Sequence, residues 1–88
     1  MNSKQQLCFD IYQDALKKDK QLCVITETGT FIGFPFVGNP IADVEDYIYL
    51  TDAKLMSGSL SVFLESVAVF LDHIVGISIV DVTQYTST

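Results

Sequence analysis

The sequence predicts an α+β fold, mainly β: an N-terminal α-helix followed by a five-stranded, strongly bent antiparallel barrel, as a single domain over residues 1–88. Three observations predict it. Apolar residues recur in pairs every four positions through the first twenty residues and then switch to a period of two, the helix-to-strand change. Glycine and asparagine punctuate the chain only after that switch, as short antiparallel strands require. Gly33 stands two residues before Pro35 inside an otherwise strand-like run, which calls for a sharp bend.

The helix, within residues 1–20, carries Leu7, Cys8, Ile11, Tyr12, Ala15 and Leu16 on one stripe. Ser3 and Gln6 have capping-box spacing, and Lys17, Lys18 and Lys20 stand where the negative end of the helix dipole favours cations. Asp10, Gln13, Asp14 and Lys17 cover the solvated face. The barrel occupies residues 21–82. Its first strand spans 22–26 and turns at Thr28-Gly29; the second spans 30–37 and turns at Gly38-Asn39-Pro40. Pro35 has no N–H for a ladder bond, so the second strand must bulge, bend or lie at an edge there.

An acidic connection through Asp43, Glu45 and Asp46 leads to a third strand over 47–55, with Ile48, Leu50 and Ala53 facing inward and the tyrosines outward. Met56-Ser57-Gly58-Ser59 turns into the last two strands, 60–70 and 75–82, broken around Asp72-His73. Leu64, Val67, Val69, Leu71, Ile74, Ile77, Ile79 and Val80 make these two strands apolar on both faces. A strand of that kind needs cover on each side. With one helix in the chain, the second cover is another subunit. Residues 83–88 form a polar tail.

Composition narrows the function. With 49% apolar residues in so short a chain, some apolar surface must lie outside the core and mark subunit contacts. Eleven acidic residues face five lysines, with no arginine, a balance that repels phosphate backbones and argues against DNA binding. The longest charge-free stretch, residues 28–42, is too short and too rich in glycine and proline to span a membrane. The first residues lack the basic-then-apolar order of a secretory signal, so the expected location is cytoplasmic. Cys8 and Cys23 have no metal-site spacing and read as two buried thiols; a disulfide between them would need their Cα atoms within about 7 Å.

Neighbouring carboxylate and imidazole in Asp72-His73 are the one hint of acid–base chemistry, but adjacent strand residues point to opposite faces, which favours a tight turn. No nucleophile elbow is present. The acidic group at Asp43, Glu45 and Asp46 lacks calcium-loop spacing. No enzyme, cofactor or metal site is therefore expected. Phe31, Phe34 and Phe36, with Tyr47 and Tyr49, offer either barrel filling or an aromatic platform for a peptide or single-stranded RNA.

The segment Tyr47-Ile48-Tyr49-Leu50-Thr51-Asp52-Ala53 resembles the third-strand part of the first Sm motif of the Sm-like barrel family. Cys23-Val24-Ile25-Thr26-Glu27-Thr28-Gly29 followed by Gly33 is similar to that motif's opening, with the glycines one residue closer than usual. Val69-Phe70-Leu71-Asp72-His73-Ile74-Val75 falls where the second motif belongs. This resemblance implies a homo-oligomeric ring in which the fourth strand of one subunit pairs with the fifth of the next. It also implies a departure: Tyr47 occupies the place of the family's base-binding asparagine, and Asp72-His73 that of its Arg-Gly pair. Bacterial members carry Tyr-Lys-His where this chain has Leu71-Asp72-His73. The expectation is a non-catalytic binding or scaffolding module without the usual cationic RNA site, able to take a protein or peptide partner. The alternative is a single-stranded RNA-binding ring, with Tyr47, Tyr49, Asp72, His73 and Lys54 at the site.

Overall fold

The computed structural model describes residues 3–36 and 47–80. The chain runs through α1 (Ser3–Lys18), β1 (Gln21–Thr26), β2 (Thr30–Pro35), β3 (Tyr47–Ser57), β4 (Leu60–Phe70), a 3-10 turn η1 (Leu71–His73) and β5 (Ile74–Val80). All five strands belong to one antiparallel sheet in the order β4-β3-β2-β1-β5. The sheet is bent but not closed, and β4 and β5 stand at its two ends. The turn at Gly38-Asn39-Pro40, the acidic connection 43–46 and the tail 83–88 lie outside the described residues.

Helix α1 buries Cys8, Tyr12 and Ala15, with Phe9, Ile11 and Leu16 packed beside them. Leu7 departs from the expected stripe and is 57% exposed, because it stands on the flank nearest the open end of the sheet. Gln6 turns its amide to Asp10 at 2.8 Å, and Asp14 pairs with Lys18 at 3.1 Å. The helix stops in a Schellman arrangement. Asp19 takes φ 55, its N–H donates to the Leu16 carbonyl at 3.3 Å, and the Lys20 N–H donates to Ala15 at 3.0 Å.

Against this helix the sheet sets Leu22, Val24, Ile48, Leu50, Ala53, Val69 and Ile74, and η1 sets Leu71, all buried. Full burial of a Leu, Ile or Val side chain contributes about 1.5–3 kcal/mol. Side chains alternate along a strand with a period of two. Here the inward positions step by three once in each of three strands: from Leu50 to Ala53, from Leu64 to Val67 and from Ile74 to Ile77. Two of these steps are bulges. Asp52, at φ 48, is the extra residue of β3 where the register with β2 shifts between Ile32 and Phe34. The second shift lies between Ile25 and Thr26, which pair with Gly76 and Ile74 and leave Val75 over. Such bulges bend the strands that carry them.

Gly33 is required at the first bend. A Cβ there would stand 2.8 Å from the Ala53 Cβ and 2.9 Å from its Cα. The strand carrying Pro35 is central in the sheet, between β1 and β3, and accommodates its proline at the last residue of β2, opposite Leu50. At the first hairpin the Thr26 hydroxyl donates to the Gly29 carbonyl at 2.7 Å and accepts the Gly29 N–H at 3.2 Å. No described helix is long and apolar enough to cross a membrane.

Candidate functional site

Tyr47 opens β3 and lies opposite Phe70, the last residue of β4, with the two rings edge to face at 5.9 Å. The chain then enters η1, where Leu71 turns inward and Asp72 and His73 remain exposed. His73 Nδ1 meets Glu27 Oε1 at 3.3 Å, linking η1 to the β1–β2 turn. Both side chains are well exposed, and a surface pair of this kind is worth about 0–1 kcal/mol. The contacts thus form two local groups, Tyr47 with Phe70 and His73 with Glu27, joined through the chain by Leu71 and Asp72 of η1.

The remaining two expected positions lie elsewhere. Tyr49 follows Tyr47 on the same outward face; its hydroxyl bonds the Ser66 hydroxyl at 3.3 Å and its ring packs on Phe36 at 5.6 Å. Lys54 sits far along β3 from Tyr47, between Ile32 and Phe63. The expected aromatic platform also divides. Phe31 packs against the core between Val24 and Leu55, Phe34 lies opposite Thr51, and Phe36 joins Tyr49. Phe70, which the sequence reading did not single out, is the ring that Tyr47 touches; its direct opposition to Tyr47 follows from a continuous β3–β4 register that only the pairing reveals.

The chemistry available is limited. Among the described residues no group of three or more His, Cys, Asp or Glu could hold a metal ion, and no buried polar side-chain atom lacks a partner. Both cysteines are free thiols; Cys8 is buried and Cys23 only half-buried, where the sequence suggested two buried ones. Burial pushes the Cys8 thiol up, with Lys4 pulling slightly the other way, and burial pushes Cys23 up as well. A raised thiol is a poor nucleophile at neutral pH. Two carboxylates lie by His73: Glu27, in contact with its ring, and Asp72, its neighbour in the chain.

The sheet edges are a different matter. Phe63 is 78% exposed, Val75 68%, Leu60 57% and Phe70 54%, and every one of them lies on β4 or β5. The eight residues read as lying on both faces, Leu64, Val67, Val69, Leu71, Ile74, Ile77, Ile79 and Val80, all turn to the core instead, because the bulged registers carry them to one side. The outward side of β4 and β5 is open to water in the single chain.

Solved structures share this arrangement. The Sm protein of Pyrococcus abyssii, in complex with a uridine heptamer, is 20% identical with a TM-score of 0.62, over 82% of this chain and 96% of its own. The fold is Sm-like. The SmAP1 heptamer of P. aerophilum is similar at 18% identity and a TM-score of 0.62, over 83% of this chain and 92% of its own. A chain from a crystal structure of the NatC complex bound to Gag peptide and CoA has the same Sm-like fold at 18% identity and a TM-score of 0.55, over 76% and 89%. No protein-family model and no curated protein matches the sequence. In the Sm-like frame, the three segments that resembled the Sm motifs are β1 with its turn into β2, the first part of β3, and the β4–η1–β5 junction.

Proposed function

We propose that this chain is a non-catalytic Sm-like subunit that assembles with copies of itself, β4 of one copy adding to β5 of the next, and serves as a binding or scaffolding module. The observation that carries this reading is the pair of edge strands at opposite ends of one sheet, each with one side unpaired among the described residues and both bearing exposed apolar side chains. An exposed edge of this kind templates pairing with another chain. Because the two edges differ, the contact is heterologous, and repetition by rotation closes a ring that leaves no edge free. The heptameric assembly of the P. aerophilum relative supports the same closure here.

The acidic balance and the carboxylates beside His73 support a protein or peptide partner over a phosphate backbone. The occurrence of the fold in the NatC complex, a protein assembly, is in keeping with that choice. Light scattering tests the assembly: a mass of five to seven copies supports the ring, and a monomer at high concentration removes it.

The second reading, a single-stranded RNA-binding ring, is favoured by one observation, the Tyr47–Phe70 aromatic pair beside η1, which could stack bases. A gel shift with single-stranded RNA at low salt discriminates. Steeply salt-sensitive binding supports the RNA ring; silence leaves the scaffold.

A further inference from the structure

Resting on the binding-module reading and naming its partner, we propose that the face of the sheet turned away from α1 binds the arginine side chains of a basic peptide. The guanidinium groups lie on the ring pairs Phe36–Tyr49 and Tyr47–Phe70 and meet the carboxylates of Asp52 and Glu65. Within the two pairs the ring centroids are 5.6 and 5.9 Å apart. Phe70 is more than half exposed, and the other three rings are half-buried.

Strand alternation puts these rings on one face. Tyr47 and Tyr49 alternate with Ile48 and Leu50, which are buried in the core that α1 covers, so both tyrosines stand on the opposite side. On β4 that side shows Phe70 opposite Tyr47 and Ala68 opposite Tyr49, and Ala68 raises only a methyl group between the two ring pairs. The carboxylates follow along the same ladder. The Tyr49 hydroxyl bonds that of Ser66 at 3.3 Å, and Ser66 pairs with Thr51. Between this rung and the next, Ala53 with Leu64, Asp52 and Glu65 fall opposite each other. The inward positions step over both, from Leu50 to Ala53 and from Leu64 to Val67, and both are exposed.

Charge selects the partner. Residues 21–88 hold eight acidic residues and one lysine, whereas the other four lysines lie on α1 or just beyond its end. That one lysine, Lys54, stands beyond Asp52 from the tyrosines on β3. Aromatic faces attract cations, and arginine adds flat stacking on the ring with forked hydrogen bonds to carboxylates. A phosphate backbone is repelled by the same acidic surface. Pairing between copies uses backbone groups at the strand edges, in the plane of the sheet, and leaves this face open.

The test is fluorescence anisotropy of a labelled oligoarginine peptide on the full-length protein at physiological salt, with oligoproline and single-stranded RNA as comparisons and circular dichroism to confirm that each variant is folded. Oligoarginine binds most tightly of the three. Tyr49→Leu weakens it about two- to fivefold, and Asp52→Asn with Glu65→Gln about tenfold. Asp10→Asn with Asp14→Asn removes the same charge from α1 and leaves the affinity within about twofold. Equal losses from the two paired variants would reduce the binding to general attraction toward an acidic protein and overturn the inference. Absence of oligoarginine binding, an unaltered affinity of Tyr49→Leu, or tighter binding of oligoproline or RNA also overturns it. Light scattering on the same samples separates this site from the ring: a mass of several copies without peptide binding leaves the ring standing, and a monomer that binds the peptide as expected removes the ring and leaves the site.

Discussion

The hydroxyl of Tyr12 accepts the backbone N–H of Phe36 at 3.0 Å, fastening the middle of α1 to the end of β2. The same oxygen lies 3.1 Å from the Tyr49 carbonyl and 3.3 Å from that of Phe36, to either of which it can donate its one proton. Tyr12 is fully buried, so this oxygen has no water in exchange. Tyr12→Phe leaves the Phe36 N–H only its longer bond to the Tyr49 carbonyl at 3.3 Å and costs about 0.5–1.5 kcal/mol, measured by urea unfolding. An unchanged midpoint would mean that the helix is held by apolar packing alone.

The bend opposite Ala53 makes a second prediction. Gly33→Ala drives a methyl into the Cα and Cβ of Ala53 and costs about 1–3 kcal/mol. At Gly58 the added Cβ meets nothing within 4 Å, and only the positive φ of 61 opposes it, at about 1–2 kcal/mol. Thermal melts of the two variants separate a packing clash from backbone strain: the Gly33 variant should also broaden or rearrange, and the Gly58 variant should retain the wild-type spectrum.

Asp19 and Asp52 both hold left-handed backbone, at φ 55 and φ 48. Asp19 ends α1 at the place where helices commonly put glycine. Asp19→Gly relieves this conformation and raises stability by about 0.5–1 kcal/mol, after subtracting the entropy glycine adds to the unfolded chain. A lower melting temperature for Asp19→Gly would show that the aspartate side chain stabilises the turn more than its backbone strains it.

Much of this structure was legible in the amino-acid order. The four-residue pairing of Cys8, Tyr12 and Ala15 placed the helix, and Gly33 with Pro35 announced the bend. The extra residue proved to be Asp52 on β3, which Gly33 accommodates from across the ladder. That detail depends on register between strands, and register is a pairwise property that one strand's pattern does not contain. Leu7 matched the helical period and still lies exposed, since periodicity fixes a face without fixing how far the opposing sheet extends. The same limit applies to Lys54, whose separation from Tyr47 is set by the course of β3 along β4.

Alkaline pH supplies another expectation. The folded protein holds the Cys8 and Cys23 thiols above their ordinary value of 9.0, chiefly through burial, and burial likewise raises Tyr12 above 10.0. The unfolded chain therefore releases these protons first, and stability declines as pH rises past about 9. Cys8→Ala with Cys23→Ala removes the thiol share of this decline and leaves the Tyr12 share, which begins near pH 10. Urea midpoints between pH 7 and pH 10.5 measure both slopes; parallel slopes in the wild type and the double variant would contradict this assignment.

The pairing of β4 with β5 between copies is tested most directly by amide hydrogen exchange on the wild-type protein. In each of these strands, alternate backbone N–H groups point away from β3 or β1 and have no strand partner among the described residues. Assembly through the edges protects those amides in both strands at high concentration, and dilution below the dissociation point releases them. Free exchange of either outward set, at a concentration where the inward amides of the same strand are protected, would contradict the pairing.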